Sequence, residues 1–429
     1  MTLAEENKKT VISKKKEVVL GKILTIEQFL KKYAKDINQK NLDDAFKLKF
    51  KIDKERTTSK LSTFIRKATV EDSRIISNLF KEIYKGTYPY KHLEDKQKVA
   101  EMIESGNTEW VLFETKDNKI AGGFGADFYT NEKKGLLYGF CILKPYRDRI
   151  DSLKAFMGSL IYFWTKYSNK IPVWMGEVRT FDTAPQWGPS FCSLKPIAFY
   201  PNKDIFFNKI ESEFLSMTYL GFDFLKNNRS KKIPKMIWPV LGAYSYSTKR
   251  YKLGEFKVEN PQLSLNNSVI RRLTNSIKIE EIPDKYNNKI VIFTLGESKF
   301  QFFHNFYSRN IEKTHYKIES LEELQTFINC LKKYMKQNNI NYFQCFVSAY
   351  EPVHQQVFFE NGFWPRGYVP CWKFDLKTKS YEDHIVFNYY SGELAKGMKL
   401  IKESKDLLKS IGFYNELEKE KLLKALQKF

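Results

Sequence analysis

The side chains able to do chemistry are few and scattered. Five histidines, His92, His304, His315, His354 and His384, show no HxxxH or HExxH spacing, so no pair is set out to share a metal from one helix face. The cysteines, Cys141, Cys192, Cys330, Cys345 and Cys371, are odd in number and contain no CxxC pair, which points away from a zinc site and a closed disulfide framework and toward a reducing compartment. No metal is expected. Glu177 stands inside the apolar stretch VWMGEV, where burial would raise a carboxyl pKa toward neutrality and make it useful for proton transfer. A second kind of chemistry is electrostatic. Between Tyr219 and Leu253, seven basic residues from Lys226 to Arg250 interleave with Trp238, two prolines and several tyrosines, a composition that suits RNA or an acidic surface.

The chain that must position these groups has 429 residues, 42% of them apolar, which is comfortable for two cores. Its net charge is +22, mostly from lysine, enough to attract anionic ligands without naming one. The N-terminus is charged throughout, and the longest apolar run, Ala155 to Trp164, is too short to span a bilayer. The expectation is a cytoplasmic protein. Residues 1–60 read as a Lys-rich extension with one amphipathic helix in ILTIEQFLKKYAKDI. From Leu61 the pattern is strand, capped helix, three alternating strands, a helix from Ile150 to about Tyr167 and the strand IPVWMGEV.

Part of this pattern recurs. IESLEELQTFINCLKKYMKQNNI leads into NYFQCFV as IDSLKAFMGSLIYFWTKYSNKI leads into PVWMGEV. Placing Val178 on Val347 puts Phe181 on Tyr350, Gln186 on Gln355, Pro196 on Pro365 and Pro201 on Pro370 with no gap, which predicts a structural repeat.

This order of elements resembles the GNAT superfamily of N-acyltransferases. The first half matches throughout, and the second from its meander onward. Sequence likeness is carried by ILKPYRDRIDSL and by VFFENGFWPRGYVP. The resemblance implies an α+β fold of two GNAT-like mixed β-sheet domains in tandem, 61–215 and a shortened 267–376. A basic linker, 216–266, joins them, and a C-terminal helical tail, 377–429, follows. It implies an acyl group carried from a coenzyme A thioester to an unidentified amine. The cofactor-binding residues are then Cys141, Ile142 and Leu143 on the strand end, and Arg147, Asp148, Arg149, Ile150, Asp151 and Ser152 in the loop and helix start. Arg147 and Arg149 could pair with the diphosphate. Ile150 and Ser152 replace the small residues that let phosphate approach the helix N-terminus, and Ile150 would crowd it. In the second half Ile318 and Ser320 follow His315 and Lys317 with no glycine, so only the first half is expected to bind acyl-CoA. Glu177 takes the place of the catalytic base. The tyrosine position for reprotonating the thiolate holds Pro189 in one half and Phe358 in the other. Two alternatives follow from these departures: an inactive GNAT-like binding or scaffold protein, and an aminoacyl-tRNA-dependent transferase similar to the Fem type. N-myristoyltransferases share the two-half plan, but this chain ends in a Lys-rich helix instead.

Overall fold

The computed structural model describes residues 23–34, 61 and 63–413; the rest of the N-terminal extension and residues 414–429 of the expected tail lie outside it. Fourteen strands form one mixed sheet flanked by helices. In chain order they are β1 (Thr63–Lys67), β2 (Thr108–Thr115), β3 (Ile120–Tyr129), β4 (Lys134–Ile142), β5 (Val173–Arg179), β6 (Lys195–Phe206) and β7 (Lys209–Tyr219). There follow β8 (Lys278–Pro283), β9 (Lys289–Leu295), β10 (Ser298–Asn305), β11 (Asn310–Lys317), β12 (Tyr342–Ser348), β13 (Trp364–Asp375) and β14 (Ser380–Tyr390). Their spatial order is β1-β2-β3-β4-β5-β7-β6-β13-β14-β12-β11-β10-β9-β8. Seven strands are thus followed by seven in mirrored succession, and the parallel pairs, β4 with β5 and β11 with β12, fall at matching places.

The two sevens meet where Ala198 of β6 pairs with Gly367 of β13. These positions correspond under the offset that relates the prolines, so an approximate two-fold axis passes between them. A Cβ added to Gly367 would lie 2.3 Å from the Ala198 Cβ and 2.6 Å from the Ile197 carbonyl oxygen; glycine is what lets the strands meet. Register shifts occur at Pro196/Ala198 and Tyr200/Asp204 in one hairpin and at Pro365/Gly367 and Val369/Lys373 in the other. Proline has no N–H for a ladder and favours bulges and strand edges, which accounts for a join so short between two otherwise long strands.

The sheet is continuous, and its largest core joins Val173, Ile197 and Met217 to Val291, Phe327 and Phe343. The segment expected to be a basic linker, 216–266, packs against the sheet. Its helix α7 (Leu241–Tyr251) buries Tyr244, Tyr246 and Tyr251 and packs on both β6 and β13. Lys232 pairs with Glu382 and Lys235 with Glu259, while Trp238 remains 69% exposed. Residues 380–390, expected in the helical tail, are β14, which pairs antiparallel with β13 in the last hairpin and with β12 on its other side. After them α11 (Lys402–Ser410) leads to Phe413, which packs on Phe199 at 4.9 Å between ring centroids.

Helix α4 (Ser152–Tyr167) buries ten consecutive residues, Ala155 to Trp164, which is why its sequence is apolar on every side. On it rests α1 (Ile26–Tyr33), with Phe29 edge-on to Trp164 at 5.1 Å. The second half has the equivalent helix α9 (Leu321–Gln337), but β8 and β9 form a direct hairpin where the first half inserts α2 (Ser73–Tyr84) and α3 (Lys96–Glu104). No described helix is long and apolar enough to cross a membrane.

Candidate functional site

β4 and β5 pair only from Lys134–Leu137 to Val173–Gly176 and then diverge. Beyond that point the edge of β4 from Tyr138 to Ile142 lines a cavity of about 1350 Å³ that also reaches the β11–β12 divergence of the other half. Glu177 is the first residue of β5 past the last paired one. Its side chain is 28% exposed and is ion-paired with Lys203 of β6. The expected burial is therefore incomplete, because the residue faces the cavity and not the core.

Lys203 is fully buried and collects acids from both halves: Glu312 of β11 lies 3.4 Å from its ammonium and Glu213 of β7 lies 3.9 Å away. Beside it Asp204 accepts from Asn310 at 2.8 Å and from Tyr90 at 3.2 Å, and Tyr90 also reaches Glu312 at 3.3 Å. Burial would lower the lysine's pKa, but Glu177 and the other acids hold it well above its usual value, so the ammonium persists. Burial pushes Asp204 up to about 7, with Lys203 pulling against it. It also raises Glu213 well above the carboxylate range, helped by Asp204. Glu177, Asp204 and Glu213 present oxygens within 4.8 Å of one another, a spacing a cation could use. Here the Lys203 ammonium already serves as that cation.

The corresponding positions in the second half have different chemistry. Phe346 stands for Glu177 and Trp372 for Lys203, and their rings stack at 3.8 Å and 8°. His384 stands for Glu213, since each pairs with matching residues of its hairpin. An ion pair at one apex is replaced by an aromatic stack at the other.

Of the residues expected to hold coenzyme A, Cys141, Ile142, Arg147 and Ser152 line the cavity, whereas Leu143, Asp148, Arg149, Ile150 and Asp151 do not. Arg147 donates from Nε to the Ile142 carbonyl at 3.1 Å, which ties the loop to the strand end. Ile150 points into the core and is 5% exposed, so it does not crowd the loop as its bulk suggested. Asp151 instead caps α4, accepting from the Lys154 N–H at 2.9 Å, and sets a carboxylate where a phosphate would approach. Burial pushes the Cys141 thiol up to about 12, so it is no nucleophile. At the start of α9, Glu323 accepts from the amides of Glu319 and Ser320, each at 3.0 Å, and from the Ser298 hydroxyl at 2.7 Å. That helix end is closed from within.

Lys203, Asp204, Glu213 and Glu312 were not singled out from the sequence. The one available signal was the charged pair Lys203-Asp204 inside the largely apolar stretch PIAFYPNKDIFF.

No family model and no curated protein matches the sequence. Solved structures with partial likeness include a spermidine N-acetyltransferase SpeG chimera from Vibrio cholerae and hSSAT, 12% identical over 38% of this chain and 96% of its own, with a TM-score of 0.32. The ribosomal-protein-S5-alanine acetyltransferase from Vibrio fischeri is 10% identical over 37% and 96%, with a TM-score of 0.30. An acetyltransferase of the GNAT family from Streptococcus pneumoniae is 15% identical over 37% and 99%, with a TM-score of 0.31.

Proposed function

We propose that the protein is an N-acyltransferase of tandem GNAT-like construction, using a coenzyme A thioester and working in its first half alone. The observation that carries this reading is the divergence of β4 from β5 after Leu137 and Gly176, with a carboxylate at the apex of the opening. The exposed edge of β4 offers backbone N–H and C=O groups to an amide-bearing ligand in the manner of an added strand. Arg147 and Ser152 would hold its phosphates, with Asp151 limiting how closely they approach α4. The thioester, when bound, supplies an activated acyl carbonyl.

The chain's own contribution is to position the amine and take its proton. Glu177 is the acceptor. Lys203 holds that carboxylate at the opening of the cavity through their ion pair. Proximity inside the cavity supplies much of the remaining rate. The second half has neither a base at its apex nor an open helix end, which supports one working half per chain.

A radiometric or thiol-release assay with acetyl-CoA, longer acyl-CoAs and a panel of amines tests the reading. Glu177→Gln should lower kcat by about 10²–10⁴-fold while leaving acyl-CoA binding intact. Binding without turnover by the wild type would favour a non-catalytic binder.

A further inference from the structure

Around the aromatic apex the cavity changes sign. Lys134, at the start of β4, has a side chain only 4% exposed, and its ammonium lies 3.8 Å from the Trp372 ring centroid. The one acid it touches among the described residues is Glu132, at 2.7 Å and half exposed. Lys373, next to Trp372, lines the same wall and forms no ion pair among the described residues. A further polar atom there is buried with no hydrogen-bond partner among the described residues: Nδ1 of His384, in a residue 7% exposed that lines the cavity.

Unpaired polar atoms in a protein interior are uncommon, and one explanation for them is a missing ligand. We propose that this second lobe binds an anionic small molecule, with a carboxylate or phosphate set between Lys134 and Lys373 and a further polar atom reaching His384. The apex of the first lobe is unlike it, because Glu177, Glu213 and Glu312 lie there around the single ammonium of Lys203. Burial pushes the His384 ring down to about 3, with Lys373 and Lys134 acting in the same direction. The half with an aromatic apex would thus have a binding role, and this inference does not depend on the acyl-transfer reading.

Isothermal titration at constant ionic strength with succinate and, separately, inorganic phosphate tests it, with 1-butylamine as the cationic control. One anion should bind once per chain and the control should not. Tight succinate binding would identify a carboxylate ligand, and tight phosphate binding a phosphate ligand. Lys373→Met and Lys134→Met should each weaken the binding about tenfold or more, as expected for a lost charge-assisted contact. Lys373 is exposed, so its variant remains informative should the Lys134 variant fold poorly. Arg147→Ala should leave the anion affinity unchanged, which separates this site from the loop assigned to coenzyme A. Failure of both anions to bind, or equal affinity in wild type and Lys373→Met, would overturn the proposal.

Discussion

Lys203 and Trp372 occupy the same place in the two halves of one sheet, and the first gathers carboxylates while the second stacks on Phe346 and carries Lys134 above its ring. Each sits within the second register shift of its hairpin, and each reaches into the other half. Lys203 touches Glu312 of β11, and Trp372 meets Lys134 of β4. The halves therefore share both apices.

Removing the Lys203 ammonium would leave Glu177, Glu312, Asp204 and Glu213 without their central cation. Lys203→Met should destabilise the fold by about 3–5 kcal/mol, the usual cost of breaking a buried ion pair from one side. Urea unfolding of the variant against wild type measures it. A loss below about 1 kcal/mol would show that the cluster relaxes by taking up protons.

Gly367 gives an independent test of the axis. A methyl group there meets the Cα of Ala198 at 2.6 Å as well as its Cβ, so backbone has to move. Gly367→Ala should cost about 1–3 kcal/mol through overpacking, and by the same measurement Gly188→Ala, whose added Cβ meets nothing within 4 Å, should cost little.

The buried acids give stability a pH dependence of definite sign. Asp204 titrates near 7 when folded and near 3.9 when unfolded. Between those values the folded chain holds a proton that the unfolded chain has released, so stability falls as pH rises from about 4 to about 7 and is level above. His92 and His304, each pushed down to about 4 first by burial, act in the opposite sense but are common to wild type and variant. Unfolding of wild type and Asp204→Asn across that range should therefore show wild type losing ground steadily as pH rises; parallel curves would remove Asp204 from the account.

The matching register shifts were legible because paired prolines at a fixed offset mark them, and much of the strand and helix order followed from periodicity and caps. The continuous sheet was not legible, since nothing local to Ala198 or Gly367 says that two hairpin edges will pair across the axis. β14 was read as tail because its aromatic, mixed-charge sequence lacks a clean two-residue alternation. Glu177 stood out as a lone acid in an apolar strand, but its partners come from β6, β7 and β11, and Glu312 is more than a hundred residues from Lys203. Clusters assembled by tertiary pairing leave little trace in any one segment. Ile150 misled for a related reason: its size was visible, while the direction of its side chain depended on the turn before α4.

The central claim is that one half works, and isothermal titration with acetyl-CoA and a longer acyl-CoA tests it most directly. Wild type should bind one molecule per chain. Arg147→Ala should weaken that binding by roughly 1.5–3 kcal/mol, as for a lost charge-assisted hydrogen bond, and Lys317→Ala, at the matching loop of the second half, should leave it unchanged. Equal losses in the two variants, two molecules bound per chain, or no binding by wild type would contradict the account.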